Sequence, residues 1–482
     1  MPVASEAPKA SGGRVTTPQR RRDAAPFGRA LGLTALLAAS CTDGALILEI
    51  AGDLESPAEL DAMCLSIADR APEGGEFARR YPLQEVELPQ TLAVDPGRAD
   101  EAVATARGYL RGREVARAQR ALGFGEGDAS LRLDGCAAAE LGDVEVYEAA
   151  GAAADVAVVV RGLREDVLLA LAPGQAGLWA PAGGALEDVG APLPDPPAEP
   201  RALAAADVTQ DCRDEVLLAS ERGLEVWSGA RGGFTRDDVA EFLDSPSGEV
   251  VAIAAGDLSG DGAIDVVAGG GDALDVFEND GSGGLARNSD AIPQGAVSDV
   301  TGIAVADFSG DGALDILVGQ GAESGAPLVL LTADSDAPGT FVVAEGAVPE
   351  VEYRARQVVA LGAPGAPADA AVAAQEGVLH LVNRGDGRLE DRAELTLPGG
   401  GGADAVDIAA ADWDGDCIDD LLIAPPGGDD IIVWTGDGDG RFAEAAPISQ
   451  GGERIALDDL GGALAARALV ITGDDGLFWV TR

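Results

Sequence analysis

Histidine, lysine, methionine and aromatic residues are scarce in this sequence. Its 482 residues include one histidine, His380, one lysine, Lys9, two methionines and 4% aromatic residues. A Ser–His–Asp or Cys–His catalytic site would therefore have to use His380. No GxSxG turn, which presents the nucleophile in one large class of hydrolases, occurs in the sequence. We interpret His380, in the apolar segment GVLHLVNR, as a packing or surface residue, and we predict that the protein is not an enzyme.

Positive charge is also scarce. The chain has 33 Lys and Arg residues against 83 Asp and Glu residues, which gives a formal net charge of -50. A surface this acidic repels nucleic acid and anionic membranes, and it favours solubility and divalent cations. The acidic residues are interleaved with apolar runs, so they indicate a folded acidic protein and not a disordered tail. Nucleic acid is therefore excluded as a partner.

The first forty residues differ because they are basic. Five arginines precede the short apolar run ALGLTALLAAS and Cys41: Arg14, Arg20, Arg21, Arg22 and Arg29. The run is too short to span a bilayer but suits a signal peptide. Small residues before Cys41 resemble a bacterial lipobox, although Ala38 stands where leucine is commonest. We predict a lipoprotein-type signal peptide over 1–40, with Cys41 lipidated; an export signal cut near Ser40 is the alternative.

A pattern of one acidic residue followed by an apolar run recurs at intervals of about fifty residues. The acidic residues are Asp166, Glu215, Asp265, Asp315, Asp369 and Asp420, and a seventh unit, ARALVITG, keeps the apolar pattern without the acid. In each unit an apolar strand, an acidic loop, a second strand, a Gly-rich turn and a third strand follow one another. Such short strands predict four-stranded antiparallel blades stacked around an axis. We predict a seven-bladed β-propeller over 141–482.

The two ends of the predicted propeller complement each other. The last unit ends at its third strand, GLFWVTR, and the segment DVEVYEAAG before the first unit is a spare strand. Pairing of the two would complete the last blade and remove an open sheet edge. We predict this closure.

Residues 41–140 lack the repeat. The segments GALILEIAGDL and ASLRLDGC are typical of strands and predict a small β-rich, sandwich-like domain. The segment SPAELDAMCLSIAD has helical spacing and is alternatively a short helix. The predicted fold class is therefore all-β, with a small β-rich domain before the propeller.

Three loops of the repeat carry alternating oxygen donors at positions 1, 3, 5 and 9. Donors at these positions are Asp257, Ser259, Asp261 and Asp265; Asp307, Ser309, Asp311 and Asp315; and Asp412, Asp414, Asp416 and Asp420. Such donors on a curved loop can converge on one point and suit Ca²⁺ better than Mg²⁺. Gly262 and Gly312 at position 6 allow the positive φ that the curve requires. The alternative is that Asp and Gly serve as turn formers only.

A fourth loop is a weaker candidate. It carries Asp207, Thr209, Asp211 and Glu215, with Cys212 at position 6. Position 12 of the three stronger loops is Ala268, Val318 or Ile423, where an EF-hand needs a bidentate glutamate. These loops therefore belong to β-hairpins and do not lie between helices.

The motif DxSGDGxxD between strands, repeated along the chain, resembles the FG-GAP/VCBS repeats of the integrin-α-type propeller. The resemblance covers residues 143–482 and implies a β-propeller whose loops bind Ca²⁺ on one face. It implies three Ca²⁺ sites, in the loops beginning at 257, 307 and 412, with the loop beginning at 207 as a fourth candidate. Cys417 departs from the pattern, since it replaces glycine at position 6, and the loops of the first, fifth and seventh units lack most ligands.

Cys64, Cys136, Cys212 and Cys417 are disulfide candidates, because an even number in an exported chain permits two bridges. None forms a CxxC pair or a Cys/His cluster, so the sequence gives no support for zinc. Cys212 and Cys417 share one loop position in units that are far apart, and a bridge between them needs the loops to meet near the axis. We therefore favour Cys64–Cys136.

The sequence predicts an exported, calcium-stabilised binding or adhesion module that recognises a protein or glycan. Its predicted location is the cell surface, outer membrane or periplasm, with contact to the membrane only through the lipid anchor, and we expect a monomer. A glycan lyase or hydrolase using the propeller channel and a purely structural envelope protein are the alternatives. The tripeptide Arg384–Asp386 reads Arg-Gly-Asp, which is expected by chance where these residues are frequent.

Overall fold

The structure is a computed structural model, and every strand assignment below concerns the residues that it describes. These are 46–52, 60–69, 76–83, 88–94, 101–111, 113–123, 129–133, 145–149, 154, 156–162, 167–182, 185–190, 193–230, 233–236, 250–321, 326–349, 354–362, 366–374, 377–395, 407–416, 418–425, 430–452, 454–457, 468–473 and 476–481. The predicted signal peptide, Cys41, Cys136 and Cys417 lie outside them. The described residues form strands, turns and loops, which confirms the all-β fold class. They contain no helix that is long and apolar enough to cross a membrane.

Seven strands before the repeats form two sheets, which together are called the sandwich. The strands are β1 (Leu46–Gly52), β2 (Ala62–Asp69), β3 (Glu76–Pro82), β4 (Gln90–Val94), β5 (Glu101–Leu110), β6 (Arg113–Gly123) and β7 (Ala129–Leu133). One sheet has the order β4-β1-β7 and the other β3-β2-β5-β6. Leu48, Ile50 and Leu131 of the first sheet share one apolar core with Met63 and Leu65 of the second. In β7, ASLRL, every second residue is buried, as the period of a strand with one solvated face requires.

The segment SPAELDAMCLSIAD contains strand β2, so its helical alternative is wrong. Met63 and Leu65 point into the sandwich core. Ala62 and Cys64, on the opposite face, pack in a second apolar cluster with Cys212 of the repeat region. Burial on both faces removes the alternation of apolar and polar residues that marks a one-sided strand, and this explains why the sequence left the alternative open.

The remaining strands build seven further sheets, here called blades 1 to 7. Blades 1 to 4 consist of β9 (Val156–Val160), β10 (Val167–Ala172), β11 (Gln175–Ala182) and β12 (Ala185–Gly190); β13 (Pro200–Ala206), β14 (Glu215–Ser220), β15 (Gly223–Ala230) and β16 (Gly233–Arg236); β17 (Ala252–Gly256), β18 (Asp265–Gly270), β19 (Ala273–Asn279) and β20 (Leu285–Asn288); and β21 (Val300–Ala306), β22 (Asp315–Gln320), β23 (Leu328–Ala333) and β24 (Phe341–Val343). Within each blade, consecutive strands pair antiparallel.

Blades 5 and 6 continue this order, and blade 7 takes one strand from before the repeats. Their strands are β25 (Ala355–Leu361), β26 (Asp369–Ala374), β27 (Gly377–Asn383) and β28 (Leu389–Leu395); β29 (Asp407–Ala411), β30 (Asp420–Ala424), β31 (Asp430–Gly436), β32 (Phe442–Glu444) and β33 (Ile448–Gly451); and β34 (Arg454–Leu457), β35 (Ala468–Gly473), β36 (Gly476–Thr481) and β8 (Glu145–Ala149). Strand β36 pairs antiparallel with β8, from Leu477 opposite Ala149 to Thr481 opposite Glu145. The predicted pairing of the two ends is confirmed.

Apolar contacts join the blades into a closed ring. Each of seven buried clusters is shared by two consecutive blades, and the cluster that contains Ala149 and Leu477 of blade 7 also contains Leu168 of blade 1. The second strands β14, β18, β22 and β30 are buried along their whole length. The first strands contact one another around the ring, and alanine-rich sequences such as PRALAAA in β13 permit this close approach. The described residues therefore fold as a β-propeller.

Candidate cation loops

In blades 2, 3, 4 and 6 the loop between the first and second strands carries the predicted ligands. The four loops with predicted ligands are called the 207, 257, 307 and 412 loops and span residues 207–215, 257–265, 307–315 and 412–420. The acid at position 9 is the first residue of the second strand in all four: Glu215, Asp265, Asp315 and Asp420. These four side chains are buried.

The position-9 carboxylate ties its loop to the third strand. In the 257 loop, Asp265 Oδ2 accepts a hydrogen bond from the backbone N–H of Ser259 at 2.8 Å, and Asp265 Oδ1 accepts one from the N–H of Asn279 at 2.8 Å. The 307 loop repeats the pattern with Ser309 and Ala333 as donors to Asp315, and the 412 loop with Asp414 and Gly436 as donors to Asp420. This acid therefore has a structural role whether or not a cation is bound.

Blade 5 shows the same anchor without the other ligands. Asp369 begins β26, and its Oδ1 accepts a 2.6 Å hydrogen bond from the N–H of Asn383. Its Oδ2 lies 3.2 Å from Nε2 of His380, whose buried ring meets the Phe442 ring edge-on with centroids 4.9 Å apart. Phe442 belongs to blade 6, so His380 packs between blades, as one of the two predicted interpretations requires.

The carboxylates at positions 1 and 5 shape the turns. Asp257 Oδ2 accepts a hydrogen bond from the N–H of Gly262, and Asp307 Oδ2 accepts one from the N–H of Gly312. At position 5, Asp261 accepts a hydrogen bond from the N–H two residues further on, at 2.8 Å, and the other two loops repeat this contact. Gly262 and Gly312 have φ values of 89° and 95°, where a Cβ would be strained. The turn-forming role that was the alternative to metal binding is therefore present in these loops.

The loops also fit a hard divalent cation. In the 412 loop, one oxygen each of Asp412, Asp414 and Asp420 lie within 4.8 Å of one another. In the 257 loop, Asp257 Oδ1 is buried and accepts no hydrogen bond of good geometry in the described residues, although the N–H of Gly260 lies near the carboxylate. The buried Ser259 hydroxyl lies near the Asp265 carboxylate but outside hydrogen-bonding geometry. Several hard oxygen donors gathered on one curved loop are the donor set that Ca²⁺ takes.

Burial makes these loops electrostatically costly when they carry no cation. Loss of solvation raises the pKa of Asp257, Asp265 and Asp315 to about 6. It raises the pKa of Asp420 to about 7, with the Asp414 carboxylate adding to the rise. A bound cation would offset both the desolvation and the mutual repulsion.

The 207 loop is built differently. Asp207 Oδ2 accepts a hydrogen bond from the N–H of Cys212 at 3.1 Å and lies 3.5 Å from NH1 of Arg80 in β3. The Thr209 hydroxyl donates to Glu215 Oε1 at 3.1 Å. Burial raises the pKa of Asp207 to about 7 and that of Glu215 to about 8. The predicted ligands of this loop are therefore engaged with one another and with the sandwich.

Cys212 of the 207 loop forms a disulfide with Cys64 of β2, with a Cα–Cα distance of 5.6 Å. The prediction of Cys64–Cys136 is wrong, and so is the alternative pairing of Cys212 with Cys417, because each sulfur forms one bridge. The physical reason is that β2 lies against this loop, where Ala62, Tyr109, Cys64 and Cys212 share an apolar cluster. The sequence shows a cysteine where the loop expects glycine, but it gives no sign that the sandwich docks there.

Contacts from the sandwich continue along the loops of the first four blades. Arg107 NH2 donates to the carbonyl oxygen of Gly162 in blade 1 at 2.8 Å. At the turn between β5 and β6, the carbonyl oxygen of Arg111 accepts a 3.1 Å hydrogen bond from the N–H of Asp257, and Arg111 NH1 donates to Asp307 Oδ2 at 3.1 Å. The sandwich therefore covers part of the face on which the predicted cation loops lie. The contacts of these arginines were not predictable from the sequence, because residues 41–140 lack the repeat.

A cleft of about 350 Å³ lies between blades 5 and 6, beside their loops. Its lining combines positively charged, negatively charged and apolar side chains, among them Arg384, Arg441, Asp437, Asp439 and Phe442. None of these residues was predicted as a ligand-binding residue, and the Arg-Gly-Asp tripeptide that contains Arg384 was expected by chance.

Comparison with protein families finds FG-GAP-like repeats in three places, at residues 207–268, 257–318 and 368–423. The first two ranges run from blade 2 to blade 4, and the third runs from the start of β26 into β30. This confirms the predicted repeat type in these segments. No curated protein sequence matches the chain.

Several solved structures are similar in fold at low sequence identity. An Agrocybe aegerita lectin that recognises non-reducing terminal N-acetylglucosamine has a TM-score of 0.47 and 16% identity, over 72% of this chain and 97% of the lectin. A Lactobacillus plantarum protein has a TM-score of 0.42 and 13% identity, over 82% and 98%. The Cps50 (Swd1) β-propeller domain of Myceliophteria thermophila has a TM-score of 0.42 and 12% identity, over 67% and 95%. All three scores are low, and the propeller fold rests on the sheets and contacts described above.

Proposed function

We propose that this protein is an exported β-propeller that is stabilised by Ca²⁺ and recognises a protein or glycan at the cell surface. The observation that carries the calcium part is the convergence of the Asp412, Asp414 and Asp420 oxygens within 4.8 Å. The buried Asp257 Oδ1, which accepts no hydrogen bond of good geometry in the described residues, supports the same role for the 257 loop.

When bound, Ca²⁺ would supply positive charge to buried carboxylates; the 257, 307 and 412 loops would hold it. Asp265, Asp315 and Asp420 would keep their bonds to the third strand through one oxygen and face the cation with the other. The ion is then structural, since it adds stability to a folded loop and takes no part in a reaction.

For recognition, we propose the cleft between blades 5 and 6. The described contacts of the sandwich with these loops lie in blades 1 to 4, and the loop side of blades 5 and 6 lies away from them. Arg384 and Arg441 can donate hydrogen bonds, Asp437 and Asp439 can accept them, and the Phe442 ring offers an apolar surface. This combination suits the hydroxyl-rich faces of a sugar or a polar peptide.

Binding of the full chain to a glycan array tests this assignment. Arg441→Ala should abolish binding, whereas Arg120→Ala on the sandwich, matched in charge and distant from the cleft, should bind as the wild type does. Equal binding by both variants would move the recognition site elsewhere. Absence of wild-type binding on both the glycan array and a peptide array would contradict the recognition proposal.

The export and anchoring proposals rest on the sequence of the first forty-one residues. Mass spectrometry of the mature protein should find Cys41 at the N-terminus with added acyl mass. An unmodified N-terminus would replace the lipid anchor by simple export, and an intact residue 1 would contradict both. The proposed monomer is tested by light scattering of the same sample.

A further inference from the structure

Two arginines of the sandwich contact the first carboxylate of two cation loops. Arg80 NH1 lies 3.5 Å from Asp207 Oδ2, and Arg111 NH1 lies 3.1 Å from Asp307 Oδ2. Position 1 is the residue with which each predicted cation site begins. The two guanidinium groups therefore bring positive charge to the places where a metal ion would bring it.

The Arg80 contact is buried and fixed. The side chains of Arg80 and Asp207 are 7% and 1% exposed, and the Arg80 guanidinium lies over the Tyr109 ring at 4.7 Å from its centroid. The Cys64–Cys212 disulfide adjoins the pair. Further oxygens of the loop are also engaged, since Asp207 Oδ1 accepts from the N–H of Asp211 and the Thr209 hydroxyl donates to Glu215.

The Arg111 contact is more open. The side chains of Arg111 and Asp307 are 29% and 21% exposed. Asp307 Oδ1 accepts a hydrogen bond from the N–H of Gly310, and Oδ2 accepts one from the N–H of Gly312 as well as from Arg111. The turn itself is held by the N–H of Arg111, which donates to Asp61 Oδ2 at 2.5 Å. Arg111 therefore competes for an oxygen that Ca²⁺ would need.

The 257 loop receives a different contact from the same turn. Here the sandwich offers the Arg111 carbonyl oxygen to the N–H of Asp257 at 3.1 Å and places no positive charge on the carboxylate in the described contacts. Asp257 Oδ1 stays buried and accepts no hydrogen bond of good geometry in the described residues.

We propose that Arg80 and Arg111 grade the cation loops of this chain, meaning that they set how tightly the loops that they contact bind Ca²⁺. Arg80 replaces the metal ion in the 207 loop, whereas Arg111 must leave Asp307 Oδ2 before Ca²⁺ binds in the 307 loop. Two cations at one carboxylate oxygen repel each other, so the arginine contact and the ion are alternatives. This inference rests on the proposed calcium binding. It gives the chain a tighter site in the 257 loop, a weaker site in the 307 loop, and none in the 207 loop.

Calorimetric titration of the full chain with CaCl₂ tests the grading. Arg111→Gln should raise the affinity of the site in the 307 loop by roughly threefold to fivefold, because it removes a partly exposed ion pair, and it should leave the other sites unchanged. Arg120→Gln, on the same hairpin but directed at the carbonyl oxygen of Ser130, should titrate as the wild type does. Asp412→Asn should remove one site, and Asp207→Asn should remove none.

The outcomes separate the two proposals. Wild-type protein that binds no Ca²⁺ contradicts the calcium part of the proposed function and this inference together. Protein that binds Ca²⁺ with equal affinities in Arg111→Gln and Arg120→Gln contradicts the grading alone, as does a lost site in Asp207→Asn.

Hydrogen exchange on the wild type covers the case in which Arg111→Gln does not fold. Saturating Ca²⁺ should accelerate exchange of the Arg111 amide, because displacement of the guanidinium loosens the turn held by Asp61. Exchange that is unchanged or slower with Ca²⁺ would overturn the inference.

Discussion

Cys64 in the sandwich and Cys212 in the 207 loop are joined by a disulfide across 148 residues of sequence. Cys212 stands at position 6 of its loop with a φ of 72°, the position that glycine holds in the 257 and 307 loops. The bridge therefore fastens the sandwich to the propeller at a turn whose conformation disfavours a side chain.

Removal of this bridge should lower stability strongly. The variant with Cys64→Ser and Cys212→Ser should lose about 4–5 kcal/mol in free energy of unfolding, the value for a disulfide that closes a loop of this length. With Cys212→Gly in place of Cys212→Ser, the loss should be about 1 kcal/mol smaller, because glycine accepts the positive φ. Urea unfolding measures both. Midpoints equal to that of the wild type would show that the bridge contributes nothing.

The position-9 acid should matter even in a blade without a cation loop. Asp369→Ala removes the acceptor of the Asn383 N–H and the partner of the buried His380, and it should cost about 2–3 kcal/mol in EGTA. Asp386→Ala, at an exposed turn of the same blade, should cost less than about 1 kcal/mol. Equal losses in the two variants would contradict the structural role of Asp369.

Asn279 should be a bridge between blades 2 and 3. Its buried Nδ2 donates to the carbonyl oxygens of Val208 at 2.7 Å and Ile264 at 2.9 Å. Asn279→Ala leaves two carbonyl groups without this donor and should lower the free energy of unfolding by about 2 kcal/mol. Asn288→Ala removes two part-buried bonds, to Glu278 Oε1 and to the carbonyl oxygen of Gly339, and is the comparison; it should have a smaller effect because these partners are less buried. Urea unfolding measures both losses, and a loss in Asn288→Ala as large as that in Asn279→Ala would contradict the bridging role of Asn279.

The 207 loop should make stability depend on pH. Burial raises the pKa of Glu215 from 4.5 to about 8, so the folded protein binds more protons than the unfolded chain between those values. Stability should therefore fall as pH rises from about 4.5 to about 8, because unfolding releases a proton that the folded state retains. Glu215→Gln should flatten this fall, measured as melting temperature against pH in EGTA. A variant with the slope of the wild type would contradict the assignment.

The repeat made most of the propeller predictable. The acid of each loop and the apolar run after it mark the second strand, and this is why Asp265, Asp315 and Asp420 begin strands as the pattern required. The spare strand at 145–149 was predictable because the last unit ended one strand short. These features are local or periodic, so one sequence carries them.

Contacts between the sandwich and the loops were not predictable in this way. Cys64, Arg80 and Arg111 lie in strands and turns without a repeat, and their partners are distant in sequence. The choice of Cys64–Cys136 followed from the distance between the units that carry Cys212 and Cys417, whereas docking of β2 on the 207 loop decides the pairing. The positions of Asn279 and Asn383 were predictable, since both residues end the third strand of their blades. Their bonds to the preceding blade were not predictable, because these bonds depend on how the blades pack.

The central claim is that Ca²⁺ stabilises this propeller through its acidic loops. The direct measurement is the melting temperature of the full chain in EGTA and in millimolar CaCl₂, with MgCl₂ as the control and Asp412→Asn as the matched variant. The account predicts a rise of several degrees with Ca²⁺, a smaller rise with Mg²⁺, and a reduced response to Ca²⁺ in Asp412→Asn. Identical melting temperatures of the wild type in EGTA and in CaCl₂ would contradict it.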